Sequence, residues 1–466
     1  MPSPPSAAVD PVLARGPAFA VLRQGLPLAI GLSSHAAINL IDMAMVGRLG
    51  GEAVQAAHIG STWNFLPMIV GNCVSTALLA QLARDLGAGD TDRARARNRR
   101  AQGFMVWLAI GIGLLTALPA GPMVDAMGVT GTVRDDAVHY LVVSNLGCLP
   151  MFVLMQTTAA MRAAGEAAVP LLLLLGANLL NLLLIVPLLY GWEGLGIEPI
   201  GVVGAAYGSV AARTVAAVAS VAWLRRRSHP LSLRAAALPP AVTPARLAGV
   251  RRDLLRDAWP QSVLIGLRAG LVLLLTPIVR AADGEAALVA FSITTRFDTI
   301  VLFSSLGFAN AATAYAARAV VAGRPQAARR AGVWAGVQAG AFGALVVTAM
   351  VMTTPSLVGF CLPDRPADVV LAAALYFGIA SWGQAVGAIA LGAMGAVQGA
   401  GKMRAPMVVD LLGFGVAYAL LLGMHASGGS LAAVYLAFVV GMAVVAGLHL
   451  GLVVRGGWVE SPSMPD

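Results

Sequence analysis

Apolar runs of about 20 residues alternate with short loops rich in Arg, Gly and Pro along almost the whole chain. A helix of that length covers the roughly 30 Å of hydrocarbon in a bilayer, where every backbone N–H and C=O must be paired within the protein. About twelve such spans are legible, beginning near Leu26, Val54, Ala101, Ala137, Ala168, Ile200, Leu254, Ala286, Arg330, Ala367, Ala405 and Ser430. The pattern predicts an all-α polytopic membrane protein.

The loops between these spans are asymmetric in charge. Of 31 Lys and Arg residues, 24 fall on the side that holds both termini, four on the other side (Arg48, Arg134, Arg280, Arg365) and three within spans (Arg213, Arg268, Arg296). Basic loops stay in the cytoplasm, so both termini are expected there, in a plasma (inner) membrane. The longest connection, Arg225 to Arg256, carries Arg225-Arg226-Arg227, Pro239-Pro240 and Arg251-Arg252 and reads as a cytoplasmic linker between two six-helix halves. The expected organisation is an N-terminal segment over 1–25, an N-lobe over 26–224, the linker over 225–253, a C-lobe over 254–455 and a tail over 456–466. The first 25 residues lack the charged, apolar and small-residue order of a signal peptide, so the first helix is expected to stay in the protein.

The two halves repeat one another. Pro27 and Pro260 each precede a Glu-Ala pair by 25 residues, Glu52-Ala53 and Glu285-Ala286. Arg84…Ala88-Gly89 lies 234 positions before Arg318…Ala322-Gly323, and MRAAGEAAVP lies 236 before VQGAGKMRAP. An even number of spans per half gives both repeats the same orientation, related by an axis along the membrane normal, as in two-lobed transporters whose lobes enclose a cavity.

Composition narrows the function. The chain is 58% hydrophobic and only 11% charged, far below the roughly 25% of soluble proteins, which excludes an ordinary soluble enzyme. The formal charge of +9 sits in inter-helix loops without an aromatic-interleaved basic face, so nucleic acid is not expected as a partner. Cys73, Cys148 and Cys361 are odd in number, far apart and embedded in apolar sequence, which predicts neither disulfides nor a metal site. No His-Glu-x-x-His, Gly-x-Ser-x-Gly, paired intramembrane Asp or nucleotide-binding loop is present, so no catalytic residues and no cofactor are assigned.

An acid inside a span costs about 2.5 to 3.5 kcal/mol on insertion scales and normally marks an ion or proton path. Asp42 is the strongest candidate, because His35, Asn39 and Asp42 fall at i, i+4 and i+7 on one face of the first helix. Asp42 lies in the outer half of the lobe, since only a few residues separate it from the turn at Arg48. Arg268 corresponds to His35 in the repeat, and Arg296 and Asp298 share the eighth span but point to different faces, so each needs a partner elsewhere. The economical pairing is Asp298 with Arg268; the alternative is that Arg268 projects alone into the cavity. Arg213 and Asp410 read as snorkelling residues near the cytoplasmic interface.

The segment LPLAIGLSSHAAINLIDMAMVGRLGGEAV, with Asp42 followed by Val46-Gly47-Arg48-Leu49-Gly50, resembles the first helix of the multidrug and toxic compound extrusion (MATE) transporters. Supporting matches are Leu86 to Asp90 (LGAGD), the ANLLN stretch of helix five, GVVGAAYGS at helix six and GAGKMRAP before helix eleven, so the resemblance covers about residues 20 to 455. It implies two lobes of six helices and export of organic compounds driven by inward proton or sodium flow. It also implies roles in proton or cation coupling for Asp42, Asn181 and Asn178, with Tyr140 and Ser209 at the positions of a helix-four Tyr and a helix-six Thr. For the two asparagines, plain interhelical hydrogen bonding is the alternative. The second helix-five carboxylate of proton-coupled members is replaced by Ile185, and the acids of the sodium-coupled branch by Arg268 and Ala388. A guanidinium among would-be cation ligands repels the ion, so H+ is expected over Na+.

The expected protein is thus a multi-pass, monomeric antiporter of small organic molecules working by alternating access. His35, Asn39, Arg268, Arg296 and Asp298 are expected to line its substrate cavity. The alternative is a flippase or exporter of an anionic or lipid-linked metabolite, favoured if Arg268 faces the cavity.

Overall fold

The computed structural model of the chain describes residues 12–63, 65–226, 228–234, 249–362, 364 and 366–459. The expected N-terminal segment up to residue 11, the proline-rich part of the linker at 235–248, Arg365 and the tail beyond 459 lie outside them.

Among the described residues the regular secondary structure is helical, apart from one isolated bridge, Trp192 to Ile197. In chain order the helices are α1 (Pro17–Gly47), α2 (Gly51–Thr62), α3 (Phe65–Gly87), α4 (Thr91–Ala117), α5 (Ala120–Asp125), α6 (Gly131–Leu146), α7 (Cys148–Ala163), α8 (Ala168–Tyr190) and α9 (Val202–Leu224). The second half holds α10 (Val250–Ala282), α11 (Gly284–Val321), α12 (Pro325–Met352), α13 (Thr354–Cys361), α14 (Ala367–Gly399), α15 (Arg404–Ala426) and α16 (Leu431–Arg455). Eleven segments are long and apolar enough to cross a membrane, α6 and α7 counting together as one. The second expected span is divided into α2, of 12 residues, and α3, of 23 residues.

The repeat is visible in the backbone. Gly51, Thr91, Ala120, Gly131 and Ala168 open helices of the first half, and Gly284, Pro325, Thr354, Ala367 and Arg404 open their counterparts 233 to 236 residues later. The turns match as well. Gly50 and Gly284, Gly89 and Gly323, and Gly165 and Gly401 all have positive φ, between 67° and 109°, which a side chain would resist. These glycines make the same tight reversals in both halves, and this is why the sequence repeat is strongest at loops.

At the arginine-rich end the halves clasp each other with repeat-equivalent residues. Arg84 of α3 reaches Asp257 of α10 at 3.7 Å, where Gln81 Nε2 also donates to Asp257 Oδ2 at 2.9 Å, and Arg84 packs on Gly401. Its counterpart Arg318 of α11 donates to the carbonyl of Ala163 at 2.6 Å and packs on Gly87. Each arginine thus crosses to a glycine-bearing segment of the other half.

Candidate functional site

Polar side chains gather where α1, α3, α7, α8 and α9 face one another. α8 shows why. Leu172, Leu179 and Leu183 are exposed on one side, while Asn178 and Asn181, a turn apart, are buried on the other. A lipid-solvated leucine face turns the asparagines inward. On α1 the face bearing His35, Asn39 and Asp42 does the same, and on α7 Met151, Leu154, Met155, Thr158 and Arg162 form one stripe.

These faces line a cavity of about 150 Å³, completed by Met68, Asn72 and Ser75 of α3, Ser209 and Arg213 of α9, and Phe303, Leu306 and Asn310 of α11. The stripe from Met151 to Arg162 gives it a length of about 16 Å at the usual helical rise.

Asp42 is held at its centre of polarity. Asn181 Nδ2 donates to Asp42 Oδ2 at 2.8 Å, and Ser209 Oγ donates to Asn181 Oδ1 at 3.0 Å. Both donors run toward the carboxylate, which suits a negative charge on it. Its other oxygen, Oδ1, is buried without a hydrogen-bond partner. A turn or two away, Asn178 Nδ2 donates to Ser34 Oγ at 2.9 Å, leaving Asn178 Oδ1 to face His35 Nδ1 at 3.4 Å. The imidazole nitrogen that faces it is therefore the one carrying hydrogen.

Of the expected coupling residues, Asp42, Asn181 and Ser209 are joined in one hydrogen-bonded chain, and Asn178 on the same wall bonds separately to Ser34 and His35. Tyr140 of α6 stands behind that wall, packed on Gly60 within electrostatic reach of Asp42 and Arg213. Ile185 is fully buried in the apolar cluster of Leu141, Leu189 and Val203, so no second carboxylate position faces Asp42.

The expected substrate residues divide. His35 and Asn39 line the cavity, whereas Arg268, Arg296 and Asp298 do not. The pairing of Arg268 with Asp298 is corrected. Asp298 accepts from Tyr376 Oη at 2.8 Å and Ser381 Oγ at 2.7 Å, both on α14, and is closed off from solvent. Arg268 instead donates to the carbonyl of Gly387 at 3.4 Å, stacks over Phe414 with 5.7 Å to the ring centroid, and faces Asp410. Asp410 is buried 3.3 Å from His449 of α16. Arg296 has no carboxylate within ion-pair distance among the described residues.

Arg213 and Asp410 are also corrected: neither snorkels. Arg213 lines the cavity, where its charge acts on Asp42, Tyr140 and His35, and Asp410 lies inside the second half. Arg162 also lines the cavity, although its place at a helix end puts it among the loop charges of the sequence. Its i+4 and i+7 relation to Thr158 and Met155 was the available signal.

A bundle of membrane-spanning helices in two repeated halves, with a charged cavity lined from several helices, defines a polytopic membrane carrier. The MatE family model matches residues 27–186 and 269–423, and the chain belongs to that family. It is accordingly a transporter of the multidrug-efflux class and not an enzyme. Among curated relatives, "Probable multidrug resistance protein NorM" of Deinococcus radiodurans is 28% identical over 404 residues, covering 85% of this chain and 86% of that one. The protein of the same name from Burkholderia pseudomallei is 27% identical over 423 residues, covering 88% and 86%. Among solved structures, an outward-facing multidrug resistance MATE transporter superposes with a TM-score of 0.84 at 20% identity, covering 98% of this chain and 100% of that one. A MOP superfamily transporter from Pyrococcus furiosus, described as having a binding pocket of reverse polarity, gives 0.86 at 19% identity over 98% and 100%. These likenesses confirm the fold.

Proposed function

We propose that the chain is a monomeric, proton-coupled exporter of amphiphilic organic compounds in the inner membrane, with both termini cytoplasmic, working by alternating access. The observation that carries this reading is Asp42: one oxygen is fixed by the Asn181–Ser209 donor chain and the other, Oδ1, is unpaired on the cavity wall. A single free carboxylate oxygen suffices for a proton. Sodium needs several oxygen ligands, and the Arg213 guanidinium in the same cavity opposes a metal cation.

Exchange follows from competition. A cationic group of the substrate is drawn to ionised Asp42, and protonation of Asp42 removes that attraction while leaving Arg213 to repel it. A coupling of about 1 to 3 kcal/mol between the two ligands biases the cycle strongly. The NorM relatives and the arginine bias toward the terminal side support export and this orientation.

Reconstituted protein given a fluorescent organic cation, with pH and sodium gradients imposed separately, tests the reading. The expected result is transport on the pH gradient alone. Transport on the sodium gradient alone overturns the proton assignment, and transport on neither overturns the assignment of an organic cation as substrate.

A further inference from the structure

We propose that the arginine-rich end of the second half is a seat for an anionic phospholipid: Arg329, Arg330, Arg404 and Arg455 hold its phosphate, and its acyl chains lie along exposed apolar stripes of α12, α15 and α16. The site is on the lipid-facing rim and is independent of what the cavity carries.

The repeat exposes it. In the first half the basic loops at this end are interleaved with acids: Arg93 and Arg97 lie 3.6 and 2.9 Å from Asp85, Arg95 lies 3.6 Å from Asp92, and His229 lies 3.4 Å from Glu166. The offset of 234 positions that relates Arg84 to Arg318 replaces Asp85 by Ala319, Asp90 by Arg324 and Asp92 by Gln326. The offset of 236 that relates Gly165 to Gly401 replaces Glu166 by Lys402. The turns are kept and the acids are gone. Segments 318–330, 399–404 and 450–459 hold no acidic residue, and among the described residues Arg329, Arg330, Arg404 and Arg455 make no ion pair.

Packing gathers these four around the end of α16. Arg329 packs on Gly456 and Gly332 on Val453, so α12 starts beside the end of α16 with Arg330 level with Arg455. Gly413 packs on Val445; nine residues back along α15 and nine onward along α16, the same register sets Arg404 beside Val454. Guanidiniums around one helix end repel one another unless an anion lies among them, and their forked donors match phosphate oxygens. The apolar faces point to a lipid as the source of that phosphate. Arg330, Arg404 and Arg455 are exposed, and each ends an exposed apolar stripe at helical spacing: Trp334 and Val337 after Arg330, Val408 and Leu411 after Arg404, and Leu448 before Arg455. Trp334 marks the headgroup level, and basic pockets between helices on the cytoplasmic side are where anionic headgroups collect.

The test is native mass spectrometry of the full chain, delipidated in a non-ionic detergent and offered phosphatidylglycerol and phosphatidylcholine of identical acyl chains at equal concentration. Wild type should carry phosphatidylglycerol about tenfold more often. Arg330→Gln with Arg404→Gln, both at exposed positions, should bring the ratio close to one. Arg93→Gln with Arg95→Gln, which takes the same charge from the ion-paired rim of the first half, should leave it within about twofold. Equal occupancy by the two lipids in wild type, which needs no variant to fold, overturns the proposal, as does an unchanged ratio in the second-half double variant or an equal loss in both double variants. Inorganic phosphate should displace no more lipid than chloride at the same ionic strength; greater displacement by phosphate makes a free anion the ligand and overturns the lipid assignment. Because binding is read without substrate or gradient, a failure of the export reading leaves this result unaffected.

Discussion

The two halves share one backbone plan and fill it in opposite ways. Matching helices by their starts sets Asp42 against Leu275, Asn178 against Phe414, Asn181 against Ala417, Ser209 against Phe438 and Arg213 against Met442. All five residues of the second half are buried in its main apolar cluster, together with Tyr376, Tyr435 and Phe377. Where the first half is hollow and polar, the second is packed. Its charged residues form closed sets instead: Asp298 with Tyr376 and Ser381, and Arg268 with Asp410 and His449. A repeat therefore fixes where helices lie and turn, while the side chains at equivalent depths decide which half carries a site. The reading assigns coupling to the first half and stability to the second.

The largest effect expected from breaking this contrast is in the first half. Asp42→Asn removes the proposed proton carrier and should lower gradient-driven transport at least a hundredfold while the purified protein elutes and melts as wild type does. Next is Asp410→Ala. It strips a buried guanidinium of its facing charge, and loss of one member of a buried pair costs about 3 to 5 kcal/mol. Thermal unfolding should show a large drop in melting temperature, whereas Asp410→Asn, which keeps the shape, should do less harm.

A middle-sized effect is expected from Asn181→Ala, which deletes the donor to Asp42: transport should fall about tenfold and the optimum pH should move, with little change in melting temperature. Asp298→Asn should leave the transport rate within about twofold, because its partners on α14 lie away from the cavity, and should cost about 1 to 2 kcal/mol through its altered hydrogen bonds.

The smallest effect concerns the loop after α7. Partial burial pushes the Glu166 carboxyl up, but the His229 contact at 3.4 Å, the Trp223 Nε1 donor at 3.2 Å and the Arg226 charge outweigh it, so Glu166 is held below its ordinary value. An acid held low in the folded protein adds stability above its unfolded value and loses it as pH falls through the folded one. Hydrogen exchange of the α7–α8 loop should accelerate selectively below about pH 4, an ordinary glutamate's range.

The sequence made the architecture legible because the bilayer demands long apolar helices and the repeat reuses glycine turns, as at Gly89 and Gly323. It also made the Asp42 wall legible, since His35, Asn39 and Asp42 share a face and the two asparagines of α8 lie a turn apart. What it could not supply was which face of one helix meets which face of another. Arg268 and Asp298 are opposite charges on adjacent spans, yet α14 brings Tyr376 and Ser381 to Asp298 first, and α15 brings Asp410 toward Arg268. Arg162 was hidden for a different reason. A charge census sorts arginines by loop, and its side chain turns back from the helix end into the cavity.

The central claim is that one proton is exchanged at Asp42 and none in the second half. Proton release on binding a fluorescent organic cation, followed with a pH indicator in weakly buffered detergent solution, tests it most directly. Wild type and Asp298→Asn should release protons in proportion to ligand bound, and Asp42→Asn should release none. Equal release from Asp42→Asn and wild type, or its loss in Asp298→Asn alone, would contradict the account.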